Sequence, residues 1–214
     1  MKTLKMLGSA LVLFGFSNAN ADVVFYNAAP AKYTVAVTLP NGKIDTRDIS
    51  EHTPGLDSKS FVLAAGVKTV KVAITDDLGE TVWKGSANQD DSFLIVPDGK
   101  GVKAVYAGTY GSYGSDAPQA ALFLNLTGEP LTLDLEGHNG VGAVRGVTPA
   151  ATFDPKKPVR LNPKEVTYNV LGKSKGGETV EVDGTVAPGR YCVLWKNTQG
   201  RVKVTTLGSI PKKK

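Results

Sequence analysis

Beyond residue 21 the apolar positions never settle into a helical period. Short β-branched and aromatic runs alternate with clusters of Pro, Gly, Asn and Asp, which is the signature of an all-β chain. In the first half the pattern predicts strands near residues 22–27, 33–39, 60–64, 67–75, 80–84, 93–97 and 102–107. Thr69-Val70-Lys71-Val72-Ala73-Ile74 shows the strand period most clearly, with one apolar and one mixed face. Pro40-Asn41-Gly42, Asp76-Asp77-Leu78-Gly79 and Pro97-Asp98-Gly99 supply turns between strands.

The second half repeats this pattern at an offset of 98 residues. Gly79-Glu80-Thr81-Val82 returns as Gly177-Glu178-Thr179-Val180, and Phe25-Tyr26-Asn27 returns as Phe123-Leu124-Asn125. Leu63 aligns with Leu161, Val72 with Val170, and Phe93-Leu94-Ile95-Val96 with Tyr191-Cys192-Val193-Leu194. The offset then grows to 100, which places Val102-Lys103 on Val202-Lys203. A repeat of this length reads as an internal duplication of a whole domain rather than a solenoid, whose units are shorter. The expected architecture is two tandem immunoglobulin-like or carbohydrate-module-like β-sandwiches at residues 22–107 and 119–211. Residues 108–118 read as a Gly/Ser/Tyr linker, and 212–214 as a basic tail. The longest irregular segments, 41–59 and 137–158, occupy matching places, where loops on a rigid sandwich carry binding.

Residues 1–21 read as a signal peptide. Lys2 and Lys5 open it, an uncharged apolar run follows to Phe16, and Ala19-Asn20-Ala21 fits a cleavage site. The run is too short to span a bilayer, so the remaining 193 residues are expected to be soluble and periplasmic. Removal of the leader takes the net charge from +5 to +3, and Lys212, Lys213 and Lys214 supply that remainder. The folded body is then close to neutral, and no basic stripe with interleaved aromatics argues for nucleic acid. Cys192, the lone cysteine, excludes a disulfide framework, and its all-apolar surroundings predict a buried, inert thiol.

Catalytic chemistry is thin. The two histidines, His52 and His138, lie apart in the two long loops, with no Gly-x-Ser-x-Gly elbow and no Gly-Asp-Ser block to supply a nucleophile. Two isolated histidines and one buried cysteine do not make a zinc site. Asp76-Asp77 and Asp90-Asp91 lack the alternating carboxylates of a calcium loop and read as turns. The glycine run from Gly140 to Gly146 precedes no helix that would hold a phosphate. No catalytic residue, metal ligand or cofactor is therefore expected. The candidate glycan or partner contacts are Trp83, Tyr110, Tyr113, His138 and Arg145, with Tyr106 a further ring to consider. Trp83 reads alternatively as part of the core, and its match in the second half is Glu181.

A leader followed by two sandwiches of this size resembles the periplasmic alginate O-acetylation protein family AlgF. So do Val23-Val24-Phe25-Tyr26-Asn27-Ala28, Ala121-Leu122-Phe123-Leu124-Asn125-Leu126-Thr127, and the stretch Leu126-Thr127-Gly128-Glu129-Pro130-Leu131-Thr132-Leu133. The resemblance implies an accessory, non-catalytic role in O-acetylation of an exported polysaccharide. Its implied partners are a membrane O-acyltransferase and periplasmic SGNH-type, acetyltransferase-like enzymes, with the polysaccharide as a further contact. Two other classes stay open on the residues alone. One is an exported glycan-binding or adhesive β-sandwich protein. The other is a pilus-type chaperone, which the absence of basic residues in 22–27 disfavours.

Overall fold

A computed structural model describes residues 21–51, 56–99, 101–109, 119–137, 140–162, 164–165 and 167–210; for residue 21 and residues 140–146 it describes the backbone alone. These residues form sixteen strands and no helix. The first eight are β1 (Ala21–Asn27), β2 (Tyr33–Thr38), β3 (Ile44–Ile49), β4 (Asp57–Leu63), β5 (Thr69–Thr75), β6 (Thr81–Asn88), β7 (Asp91–Asp98) and β8 (Gly101–Thr109). The second eight are β9 (Ala120–Asn125), β10 (Leu131–Gly137), β11 (Gly140–Val147), β12 (Val159–Arg160), β13 (Tyr168–Ser174), β14 (Thr179–Val186), β15 (Arg190–Lys196) and β16 (Val202–Ser209). The chain is all-β, as its patterning predicts.

Strand pairing builds four layers. In the first half β3-β2-β5-β6 faces β4-β1-β7-β8, and in the second β11-β10-β13-β14 faces β12-β9-β15-β16. The inward positions of the first pair make one core around Phe25, Phe61, Ile74 and Ile95. Those of the second pair make another around Leu133, Leu135, Leu194 and Val186.

A third core lies between the halves. The outward face of β7 gives Leu94 and Val96, and β8 gives Ala107; they pack on Leu122 and Leu124 of β9, Val193 and Trp195 of β15, and Leu207 of β16. The two inner sheets are therefore covered on both faces. That explains why β7 and β15 read as unbroken apolar runs rather than as alternation. Leu94, Leu124 and Val193 are fully buried, and each such side chain is worth about 1.5–3 kcal/mol relative to exposure. Separating the halves would expose these side chains to water.

The seam is tightest where β8 meets β16. Thr109 pairs with Ser209, and Gly108 and Gly208 lie against each other. A Cβ on Gly108 would stand 2.8 Å from the carbonyl carbon of Gly208, and one on Gly208 would stand 2.8 Å from Ala107 O. Strand β8 thus runs two residues into the segment read as linker. Tyr106 and Tyr191 cross the same seam edge to face, 6.0 Å apart.

The long loops hold strands that the sequence pattern hid. Strand β3 lies within 41–59 and β11 within 137–158. Strand β3, Ile-Asp-Thr-Arg-Asp-Ile, is a mostly exposed edge strand, so no apolar alternation marks it.

Pairing registers also correct the internal alignment. Phe25 stands beside Phe93, whereas Phe123 stands beside Cys192, so Phe93 corresponds to Cys192 and not to Tyr191. The extra residue sits in a bulge. In the first half Val82 alone is extra opposite Ile74 and Thr75; in the second, Val182, Asp183 and Gly184 stand opposite Val170. That wider bulge carries β14 onto β16, where Val182 pairs with Val202 and Asp183 with Lys203. Gly184 makes the approach feasible, since a Cβ there would meet Val204 O at 2.2 Å. The β14–β16 and β8–β16 contacts join three of the four layers into one continuous sheet.

Candidate functional site

A cleft of about 570 Å³ opens at the end of the seam opposite the β8–β16 contact. Its first-half wall is Ala28 and Pro30, just after β1, with Val96 and Pro97 at the end of β7. Its second-half wall is Leu126 and Gly128, just after β9, with Trp195 and Lys196 at the end of β15, and residues 149–151 close one side. Each wall uses the same places in its half. The differences are in side chains: Trp195 replaces Val96, and Lys196 replaces Pro97.

Two buried asparagines hold those walls. Asn27 donates from Nδ2 to Ala31 O (2.8 Å) and Ser50 O (2.7 Å), and its Oδ1 accepts from Ala29 N (2.9 Å). Asn125 donates to Glu129 O (2.9 Å) and Val147 O (2.7 Å), and accepts from Thr127 N (2.9 Å). Each side chain thus satisfies three backbone groups and fixes the loop that follows the first strand of its half. The neighbouring main chain is also committed: Ala28 N donates to Ile95 O, Leu126 N to Leu194 O, and Ala150 N to Asn125 O.

The chemistry of the cleft follows. Its surface is apolar, with Pro30, Pro97 and Pro149 contributing rigid edges. The indole of Trp195 is buried, and its Nε1 donates to Thr205 Oγ1 at 2.9 Å. At the rim Lys196 and Glu129 form an ion pair at 2.7 Å, with both side chains partly in solvent. Such a surface suits an apolar ligand group, with one charged pair to orient it. A hydroxyl-rich ligand would find few free partners inside.

Of the candidate contact residues singled out in the sequence, Trp83 and Tyr106 have described side chains. Tyr110, Tyr113, His138 and His52 lie outside the described residues, as does the side chain of Arg145. Trp83 is half-buried on β6, against the first core, with its ring 6.5 Å from that of Phe93. Its six-membered ring lies over Gly85, where a Cβ would come within 2.2 Å of Cη2. Both the core reading of Trp83 and its partial exposure therefore hold. Cys192 is fully buried in the second core, and burial pushes its thiol up to about 12, far from the thiolate a nucleophile needs. Burial likewise pushes Tyr191 up to about 12.

Sequence reasoning missed the cleft because its residues are prolines, alanines and a tryptophan that look structural one at a time. The signal that was present is the recurrence of Phe-Tyr-Asn as Phe-Leu-Asn, whose asparagines build the walls. A smaller pocket of about 230 Å³ lies between β3 and β4, beside the exposed Ile44 and Val62. Among the described residues no cluster of three or more His, Cys, Asp or Glu is placed to hold a metal ion. Among them, no helix is long and apolar enough to cross a membrane.

No protein-family model matches the chain, and no curated protein does. Among solved structures, a Ca2+-stabilized adhesin that "helps an Antarctic bacterium reach out and bind ice" is similar over 89% of this chain and 49% of its own, at 13% identity. This chain therefore spans about half of that protein, and at a TM-score of 0.21 the likeness carries no argument about fold or function.

Proposed function

We propose that the protein is a non-catalytic bridging component, exported to the periplasm, in the O-acetylation of a polysaccharide such as alginate. It joins a membrane O-acyltransferase to periplasmic SGNH-type enzymes. The observation that carries this reading is the third core. It holds two halves of like pairing but unlike surface chemistry in one orientation, with an apolar cleft at their junction. A bridge needs such a fixed geometry, whereas two tethered binding modules do not. The leader pattern and the resemblance of the strand-opening phrases support the same reading. The buried, protonated Cys192 is consistent with a role that forms no acyl-thioester on this chain.

The test is deletion of the gene, followed by measurement of acetyl content in the exported polymer. Acetylation should fall at unchanged polymer yield. The wild-type chain should restore it, and Ala150→Arg, which fills the cleft from an exposed position, should not. Unchanged acetylation in the deletion strain would sink the proposal. A second reading, an exported glycan-binding or adhesive protein with no acetylation role, is favoured by the half-buried aromatic rings on the first half.

A further inference from the structure

The two sandwiches differ on the side where the sixth and eighth strands of each come together. In the second half β14 pairs with β16, and Lys203 adds an ion pair to Asp183. In the first half β6 and β8 belong to separate sheets, and no main-chain bonds close the gap. Each of these two strands carries an aromatic ring beside Phe93 instead, Trp83 on β6 and Tyr106 on β8. Trp83 lies face down on Gly85, and Tyr106, 36% exposed, stands edge to face with Phe93 at 6.0 Å. Phe93 sits between them, 6.5 Å from Trp83 and itself stacked on Phe25 in the core. Both partly exposed rings are therefore braced from behind.

We propose that this side of the first half is a sugar-stacking site, with Trp83 and Tyr106 as its rings and a neutral pyranose chain as its ligand. Packing alone does not account for the arrangement, because the other half closes the same side with backbone and aliphatic groups. A braced, partly exposed aromatic surface presents rigid apolar area with little entropy left to lose on binding. Polar groups suited to hydroxyls lie beside it. The Tyr106 hydroxyl is 3.2 Å from Thr109 Oγ1, and Asp91 lies close enough to act electrostatically on Tyr106. Asp91 in turn feels Asp90. Stacking on single-stranded nucleic acid uses similar rings but adds a cationic track for phosphates. Here the charged groups acting on Tyr106 are carboxylates, Asp91 and behind it Asp90, which also disfavour a polyuronate. The site deepens the glycan-binding reading and rests on it, not on the acetylation reading, whose named polymer, alginate, is a polyuronate.

The full mature chain carries its own reporter. It has two tryptophans, and Trp195 is buried and bonded to Thr205, so a ligand-induced change in accessible indole emission reads Trp83. Titration with cellohexaose should shift Trp83 emission saturably and protect it from acrylamide. A hexamer of mannuronate should bind at least roughly tenfold more weakly. Tyr106→Ala, at an exposed position that leaves Trp83 in place, should weaken cellohexaose binding roughly tenfold, the worth of one aromatic contact. Trp83→Leu should abolish the signal, and a folded spectrum for Tyr106→Ala keeps the test valid if Trp83→Leu does not fold. No response to cellohexaose at millimolar concentration would overturn the proposal. Binding unaffected by Tyr106→Ala, or mannuronate binding as tight as cellohexaose, would overturn it too.

Discussion

Replacing Gly108 by alanine loads the seam at its tightest point. Gly108 sits at φ +96°, and a Cβ there would stand 2.6 Å from Ser209 O, 2.7 Å from Tyr191 Cδ2 and 2.8 Å from the Gly208 carbonyl carbon. Ser209, Tyr191 and Gly208 all belong to the other half, and the backbone atoms cannot retreat without opening the Thr109–Ser209 pair. Two costs combine. A left-handed backbone costs an L-residue about 1–2 kcal/mol, and forcing a methyl group into a packed contact costs about 1–3 kcal/mol. Gly108→Ala should therefore lose about 2–5 kcal/mol. Gly42→Ala separates the two costs, because Gly42 has φ +82° and nothing within 4 Å of its would-be Cβ. It should lose only the first. Gly208→Ala carries no left-handed strain and should lose only the second. Urea unfolding monitored by circular dichroism measures all three, with wild type unfolding in one transition because the halves share a core. If Gly108→Ala costs no more than Gly42→Ala, the halves do not meet as described.

Two further predictions bear on the wall asparagines and the thiol. Asn27→Ala and Asn125→Ala each remove hydrogen bonds from a buried side chain to the backbone, so each should destabilise by about 1–3 kcal/mol in the same urea experiment; a loss below about 0.5 kcal/mol, the range of ordinary surface substitutions, would remove them as the source of wall geometry. Cys192 should resist iodoacetamide at pH 8 in the native protein and react promptly once unfolded, and fast native labelling would contradict its burial. Because its folded pKa lies above the ordinary thiol value, its contribution to stability is complete below about pH 8.5. That contribution should fade as pH rises toward about 12. Tyr191 titrates in an overlapping window, so the part of the alkaline slope that Cys192→Ala removes is the thiol's own.

Particular segments show how far the sequence reaches. Alternation in residues 69–74 places β5 and its inward Val70, Val72 and Ile74 directly. The apolar runs at 93–96 and 191–195 also announced the third core, since a strand covered on both faces has no polar face to alternate with. A polar edge strand such as β3 leaves no periodic trace, because half of its hydrogen-bonding and most of its side chains face water. The register error at Phe93 and Cys192 has a structural cause. The added residue lies in the β14 bulge, where the sequence shows only Val-Asp-Gly, and a one-residue slip exchanges the faces of every later side chain. The cleft is least legible of all. It depends on how two outward faces meet, and its walls are small residues whose role is set by tertiary placement alone.

The claim on which the site and the bridging role both rest is that the halves move as one body. Backbone 15N relaxation of the mature chain measures this directly, residue by residue. The shared core predicts one rotational correlation time for β1–β8 and β9–β16, matching a particle of the full mature mass, with Leu94, Ala107, Val193 and Leu207 among the most rigid amides. Two shorter and distinct correlation times, one for each half, would contradict it.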